Sequence, residues 1–194
     1  GDKVSVIPIG LDKSTYAVAT KNKLKYWKKK IGDKFFLFVG VMRYYKGLHI
    51  LIKAAHNSDY PIVIVGAGSI EKELKDLAKK LGVHNIHFVG FISDEDKVAL
   101  FMLSYAILFP SHLRSEAFGV SLLEGAMYGK PLISSEIGTG TTYINIHGET
   151  GLVVLPSNSE ALRQAMDYLW NNPVLAKKMG MRAEARYWHL FTAD

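Results

Sequence analysis

The chain has 194 residues, of which 48% are hydrophobic, and this suits one domain with a sizeable core. It contains no cysteine, so disulfides and cysteine-ligated zinc sites are excluded, and a cytoplasmic location is expected. The longest apolar run, residues 98–109, is interrupted at Ser104 and stopped by Pro110, which leaves it short of the roughly 20 residues of a membrane-spanning helix.

Residues 1–33 are predicted to be a lead-in from a preceding domain, because the chain begins with Gly1 and ends just after an aromatic helical pattern. Seven lysines lie between positions 21 and 34, and the formal net charge is +6. We interpret this basic segment either as a solvated, loosely helical lead-in or as a patch for an anionic membrane or a phosphate-bearing partner. Nucleic acid is not favoured, because no recognised binding module accompanies the charge and the aromatic residues do not alternate with the lysines.

Apolar runs of strand length alternate with helical patterns through residues 34–194, which we interpret as one domain. The predicted strands cover residues 35–40, 62–66, 86–90, 106–109, 132–134 and 151–155, and the Gly/Thr-rich residues 138–142 after the fifth strand are predicted to be a loop. The predicted helices begin at Leu48, at a Ser69 cap, at a Ser93–Asp96 capping box, after Gly119, and at about residues 158 and 173. This alternation predicts an α/β, Rossmann-like fold with a doubly wound, parallel six-stranded sheet in the order 3-2-1-4-5-6.

That strand order places the loop after strand 1 beside the loop after strand 4, where open α/β sheets bind ligands. The first loop holds Arg43 and Lys46, and the second holds Glu116 just before a helix that starts near Gly119. Glu124 lies roughly 6 Å further along this helix, at about 1.5 Å per residue. Cations and helix N–H groups suit phosphates, and carboxylates accept hydrogen bonds from sugar hydroxyls, so the set indicates a nucleotide sugar. The alternative is that Glu116 is a cap-region acid and Glu124 a solvated helix residue.

Other motifs in the chain give weaker indications of function. Gly66 and Gly68 begin like a dinucleotide fingerprint, but Glu71 occupies the place of the third glycine and the turn follows strand 2, so we interpret it as a tight turn. The histidines, including His112 near the predicted cleft, show no metal-ligand spacing, and no serine stands in a G-x-S-x-G turn. A dinucleotide-binding oxidoreductase domain and a non-catalytic nucleotide-sugar-binding module stay open as alternatives.

The segment around the two glutamates resembles the E-x7-E signature of glycosyltransferase family 4, whose members are retaining enzymes of the GT-B fold. Glu116 and Glu124 are separated by seven residues, and the sequence from residue 125 to residue 131 reads G-A-M-Y-G-K-P. Residues 7–12, 39–47 and 147–154 resemble the family's domain entry, phosphate-binding loop and H/N-G-x-T-G-x-x-V ending. The resemblance implies that this chain is the donor-binding half of a GT-B enzyme, joined to an N-terminal domain outside it.

The resemblance implies a role for each matching residue. Lys46 would neutralise the donor diphosphate, Glu124 would bind the ribose hydroxyls, and Glu116 would hold the transferred sugar near the reacting carbon. The further implied contacts to the donor come from Gly40, from the backbone N–H groups of Phe118, Gly119 and Val120, and from Gly90, Phe91 and Ile92 beside the base.

One departure from the family pattern lies in the phosphate loop, where Val41 stands in place of the usual arginine. Arg43, two residues further on, is the candidate replacement. It would join Glu116 and Lys46 as the groups that act on the reacting bond.

The resemblance also implies the substrates and the place of the reaction. Residues 134–143 resemble bacterial members that act on lipopolysaccharide, several of them mannosyltransferases, so GDP-mannose is favoured over UDP-sugars as donor. No metal and no cofactor are expected, and the acceptor would be a glycan or a lipid-linked molecule on the N-terminal domain. The enzyme would work in the cytoplasm, with peripheral contact at the inner face of the cell membrane. The chain alone is expected to bind nucleotide weakly and not to turn over.

Overall fold

One parallel sheet organises the computed structural model, which describes residues 10–113 and 119–193. Its strands are β1 Phe36–Val39, β2 Ile62–Val65, β3 Ile86–Gly90, β4 Ala106–Phe109, β5 Leu132–Ser135 and β6 Gly151–Val154. Within the described residues the six strands follow the order β3-β2-β1-β4-β5-β6, and every neighbouring pair is parallel. The predicted α/β class, the strand order and the doubly wound topology are confirmed.

Helices cover both faces of the sheet. They are α1 Lys21–Ile31, α2 Leu48–Ala55, α3 Glu71–Lys80, α4 Asp94–Leu103, α5 Val120–Met127, α6 Thr141–Ile144, α7 Ser159–Trp170 and α8 Pro173–Leu190, with short 3-10 turns at Lys13–Thr15 and Tyr44–Lys46. The core beneath α2, α3 and α7 lies on one face and the core beneath α1, α4 and α5 on the other, and α8 contributes to both. The short helix α6 lies in a segment that the sequence predicted to be a loop.

Strand β1 illustrates why the central runs are apolar throughout. Phe36 and Phe38 join the core beneath α2 and α7, whereas Leu37 joins the core beneath α4 and α5. Successive side chains of a strand point to opposite faces, so a sheet with both faces covered buries every residue. Each of these buried side chains contributes roughly 1.5–3 kcal/mol to stability.

The two predicted serine caps have different outcomes. Ser93 caps α4, because its Oγ accepts a hydrogen bond from the Asp96 backbone N–H at 3.1 Å and donates one to the Asp96 carboxylate at 2.7 Å. The cap predicted at Ser69 is wrong, since α3 begins after Ile70 without a side-chain cap bond. A turn closed by the Glu71 N–H and the Gly68 carbonyl, at 3.3 Å, places Ser69 before the helix.

Helix α1 packs on the domain through α4. Trp27 and Ile31 are buried, and the Trp27 indole N–H donates to Asp96 at 2.9 Å. The Lys23 ammonium lies 3.0 Å from the same carboxylate. The boundary at residue 33 stays a prediction, and the structure adds that this helix has a buried face.

The start of the described chain is held by the end of α8. The Leu11 N–H donates to the Phe191 carbonyl at 2.8 Å, and the Tyr187 hydroxyl donates to the Leu11 carbonyl at 2.6 Å. Residues 13–19 then run towards α4 and α5, where Tyr16 packs edge-on against Tyr128. Among the described residues, every helix is too short or too polar to span a membrane.

Candidate functional site

The loops after β1 and β4 lie together, as the strand order predicted. Strands β1 and β4 are neighbours, and the His112 backbone N–H donates to the Tyr45 carbonyl at 3.1 Å across the two loops. Gly47 has φ +74, and a Cβ atom there would lie 2.0 Å from the Pro110 carbonyl oxygen. Glycine is therefore required where the two loops meet, and the site depends on this close backbone contact.

The cationic side of this cleft is formed by the loop after β1. The Lys46 Nζ atom lies 5.3 Å from the ring centroid of Phe109 and 5.4 Å from that of Tyr45, so Lys46 lies between the two loops. Arg43 is exposed one turn earlier, and Val41 before it is 50% exposed. The structure thus holds Lys46 against the fold and leaves Arg43 at the surface, so the proposed replacement of the family's arginine by Arg43 stays a prediction.

Helix α5 begins at this cleft. Gly119 precedes it with φ +91, and a Cβ atom there would lie 3.1 Å from the Phe109 ring. Among the described residues no side chain caps the helix at Gly119, and Val120 in the first turn is 47% exposed. The backbone N–H groups of this first turn lack acceptors within the helix and carry partial positive charge, which suits an anion. Glu116 and Phe118 lie outside the described residues, so their roles stay predictions.

Glu124 lies in α5 with only 5% of its surface exposed. The interpretation of Glu124 as a solvated helix residue is therefore wrong. Its carboxylate lies 3.7 Å from the Lys97 Nζ atom of α4 and interacts with the Tyr16 hydroxyl. Burial raises the pKa of the Glu124 carboxyl above its ordinary value, and the Lys97 cation and the Tyr16 hydroxyl oppose this rise. Such a group is costly to bury for structure alone, which favours a functional role.

A cavity of about 230 Å³ lies between α4 and the segment that carries Tyr16. Its lining includes both partners of Glu124, and the full set is Thr15, Tyr16, Ala17, Asp94, Lys97 and Val98. Sequence reasoning missed Tyr16, Asp94 and Lys97 as site residues. Asp94 and Lys97 stand three residues apart in the first turn of the helix that follows β3, and that position at the carboxyl edge of the sheet was the available signal.

The loop after β3 flanks the same edge. Gly90 has φ +73 and ends the strand, Phe91 is 91% exposed, and Ile92 packs partly against the core beneath α4. An aromatic ring with almost its whole surface in water is available to stack on a ligand. The predicted contact of this loop with a base stays a prediction.

The glycines after β2 have a structural reason. A Cβ atom on Gly66 would lie 1.9 Å from the Gly40 carbonyl oxygen, and one on Gly68 would lie 2.3 Å from the Met42 carbonyl oxygen. Both glycines therefore let the turn approach the backbone of the phosphate loop. This agrees with their interpretation as a tight turn, and it gives Gly40 a fixed place under that turn.

Three rings pack together where the loops after β1 and β4 meet the start of α2. His112 lies with its ring centroid 4.8 Å from that of Tyr44 and 5.0 Å from that of His49. Both ring nitrogens of His112 are buried and lack a well-formed hydrogen bond to the residues that the structure describes. Burial lowers the pKa of this imidazole, and the Tyr45 backbone opposes the change. His112 is therefore a neutral packing residue between the loops. Across residues 10–113 and 119–193, no group of three or more metal-ligating side chains occurs.

Comparison with known proteins places this geometry in a family. The family model described as "Glycosyl transferases group 1" matches residues 20–186. The chain is 65% identical over 192 residues to the D-rhamnosyltransferase WbpZ of Pseudomonas aeruginosa, covering 99% of this chain and 50% of that protein. It is 49% identical over 193 residues to the O-antigen chain mannosyltransferase C of Escherichia coli, covering 100% of this chain and 52% of that protein. HepE from Anabaena, solved in complex with UDP and glucose, superposes with a TM-score of 0.85 at 22% identity, covering 97% of this chain and 53% of HepE.

Proposed function

Because the chain belongs to the group 1 glycosyl transferases, we propose that it is the donor-binding half of a retaining hexosyltransferase that uses a nucleotide diphosphate sugar. The chain spans about half the length of the curated relatives it matches. The observation that carries the proposal is the buried Glu124 carboxylate of α5, whose partners Tyr16 and Lys97 line a cavity. Lys46, in the loop after β1, lies against Phe109 at the end of the strand that precedes the same helix. A non-catalytic nucleotide-sugar-binding module is the second candidate, since an isolated donor domain would have the same site.

In this proposal the diphosphate binds between Lys46 and the first turn of α5. When the bond between the anomeric carbon and the diphosphate breaks, the bonding electrons stay on the diphosphate oxygen, and the fixed cation and helix N–H groups stabilise that charge. Glu124 accepts hydrogen bonds from the ribose hydroxyls, and Glu116 holds the transferred sugar. Arg43 acts with Lys46 on the diphosphate, and the Gly119 and Val120 N–H groups complete the anion site.

The cavity beside Glu124 supports guanine over uracil as the base. Guanine presents N–H donors on one edge and the O6 and N7 acceptors on another. Asp94 offers a carboxylate to the donors, and Lys97 offers an ammonium to the acceptors, while it can still contact Glu124 with another of its three N–H groups. Phe91 would stack on the base or its ribose. A GDP-sugar, with GDP-mannose first, is therefore the donor that we propose.

The transferred sugar and acceptor follow from the relatives. One is named a mannosyltransferase of the O-antigen chain and another a D-rhamnosyltransferase, and D-rhamnose is the 6-deoxy form of mannose. We therefore infer mannose, with 6-deoxymannose as the alternative that the 65% identical relative favours. The acceptor is a glycan or lipid-linked glycan of a cell-surface polysaccharide, bound by the domain that this chain does not contain.

Calorimetry with a panel of nucleotides tests the proposal. GDP and GDP-mannose are expected to bind the chain at least about 10-fold more tightly than UDP-glucose, which is roughly the value of one well-placed pair of polar contacts. Glu124→Ala should remove most of this affinity, and Glu160→Ala, at an exposed position of α7, should not. Tight NAD binding that survives Glu124→Ala would contradict the proposal and favour an oxidoreductase domain.

Turnover separates the enzyme from the binding module. The whole protein, with its N-terminal domain, is expected to release GDP from GDP-mannose in the presence of a glycan acceptor. The chain alone is expected to bind without release. Nucleotide-sugar binding by the whole protein with no transfer to any glycan would favour the non-catalytic module.

A further inference from the structure

The charge of this chain is concentrated in one helix. Helix α1 reads K-N-K-L-K-Y-W-K-K-K-I, with six lysines and no acidic residue. The whole chain has 24 basic and 18 acidic residues. Without the six lysines of α1, the 18 remaining basic residues would balance the acidic ones, so the net charge of +6 is the charge of this helix.

Three of these lysines form a row on the outer side of α1. Trp27 and Ile31 face α4 and are buried, whereas Lys21, Lys25 and Lys29 are exposed. Residues four apart lie on one side of a helix, about 6 Å from one another along the axis. These three lysines make no hydrogen bond or ion pair with any described residue, in contrast to Lys23 of the same helix.

The row is unfavourable within the chain itself. Like charges four residues apart destabilise a helix, and Lys21 also lies at the helix N-terminus, where the helix dipole disfavours a cation. The packing of α1 depends on its inner face and would be the same with neutral polar residues outside. An external anionic surface would offset this repulsion.

We propose that the lysine row of α1 docks the protein on an anionic lipid membrane. Each lysine near such a surface adds attraction without a demand for shape complementarity, because lipid headgroups are mobile. A Tyr26 side chain that is 53% exposed stands beside the row, and tyrosine favours the headgroup region. At about 0.15 M salt the Debye length is about 8 Å, so lysines on a surface-lying helix are within reach of the headgroup charge.

Two other occupants fit the row less well. The centres of protein–protein interfaces are depleted in lysine and need apolar or aromatic side chains, and the apolar residues of α1 other than Tyr26 are turned inward. Single-stranded nucleic acid needs a series of aromatic platforms between the cations, and Tyr26 is the one exposed aromatic residue of the helix. A membrane requires only the charge and the exposure that the helix provides.

Vesicle co-sedimentation tests this inference. The chain is expected to bind vesicles that contain phosphatidylglycerol, not vesicles of phosphatidylcholine alone, and to dissociate at about 1 M salt, where the Debye length is about 3 Å. Replacing Lys21, Lys25 and Lys29 by Gln should weaken this binding about 100-fold. Replacing Lys80, Lys177 and Lys178 by Gln, which removes the same charge at exposed positions elsewhere, should change it less than about 3-fold.

Four results would overturn the inference: no binding by the unmodified chain, equal binding to neutral vesicles, an equal loss in the control variant, or full binding by the α1 variant. A fifth is tighter, α1-dependent binding of single-stranded RNA, which would assign the row to nucleic acid. GDP binding, measured on the same α1 variant, is expected to be unchanged. This measurement separates failure of the membrane inference from failure of the proposed donor site, on which the inference does not rest.

Discussion

The Glu124 carboxylate lies 3.7 Å from the Lys97 ammonium, in a position where the carboxylate is almost fully buried and the ammonium borders a cavity. This pair connects α5 to α4, so it joins the proposed ribose contact to the proposed base contact. A ligand that enters the cavity would meet Lys97, whose ammonium contacts Glu124.

Glu124→Gln should stabilise the chain without ligand and weaken nucleotide binding. Burial raises the folded-state pKa of Glu124, so its ionisation at neutral pH disfavours the folded state. The stabilisation by Gln, about 1 kcal/mol at pH 7, should decrease as pH falls through the raised pKa and vanish below the unfolded value. Urea unfolding across this pH range measures it. A stability difference that grows on acidification would contradict this assignment.

Tyr16→Phe should weaken GDP binding by about 3- to 10-fold, the effect of one lost polar contact. The Tyr16 hydroxyl lowers the pKa of Glu124. Without this hydroxyl, Glu124 should become protonated at a higher pH, and the loss of GDP affinity on acidification should begin at a higher pH. Calorimetry at several pH values measures both effects. Tyr128→Phe is the matched control, because this neighbouring ring lies 6.3 Å from that of Tyr16 and is not among the groups that lower the Glu124 pKa. Equal effects of the two variants would remove the specific role of Tyr16.

Lys46→Met should separate the phosphate from the nucleoside contribution. GDP affinity is expected to fall at least about 10-fold, since a charge-assisted contact contributes roughly 1.5–3 kcal/mol, while guanosine affinity stays the same. Glu124→Gln should weaken the binding of both GDP and guanosine, because both ligands contain the ribose. Lys53→Met, at an exposed position of α2, serves as the control. An equal loss of guanosine affinity in Lys46→Met would place Lys46 at the nucleoside instead.

Gly47→Ala should destabilise the chain by more than about 2 kcal/mol, because it adds a backbone clash to a left-handed conformation. The control is Gly82→Ala. The φ of Gly82, +69, is close to the +74 of Gly47, but a Cβ atom on Gly82 would have no neighbouring atom within 4 Å. Gly82→Ala should cost about 1 kcal/mol, the conformational part alone. Urea unfolding of both variants gives the difference, which measures the contact between the two site loops. Equal destabilisation would mean that the loops can separate without cost.

The strand order could be predicted because each central strand is apolar on both faces and alternates with a helical pattern. That alternation allows few topologies, and the order then brings the loops of Lys46 and Gly119 together. The Ser69 cap was wrong because local spacing does not reveal the turn between Gly68 and Glu71 that delays α3. The short helix α6 was missed because its residues read as a loop.

The environment of Glu124 could not be predicted from spacing. Its partners are Lys97 on α4 and Tyr16 in the segment before α1, and both are brought to it by packing rather than by sequence proximity. The E-x7-E resemblance assigned Glu124 a role without indicating its burial. The family resemblance itself is confirmed by the match over residues 20–186, while the individual roles of the site residues stay predictions.

The hydrogen bonds of Leu11 with the end of α8 anchor one end of the segment that carries Tyr16. The other end is anchored to α4, because the Thr20 N–H donates to the Glu95 carboxylate at 3.1 Å. The hydroxyl that interacts with the buried Glu124 carboxylate is therefore positioned by two attachments outside α5. A substitution at either attachment would change the surroundings of Glu124 without altering the helix that carries it.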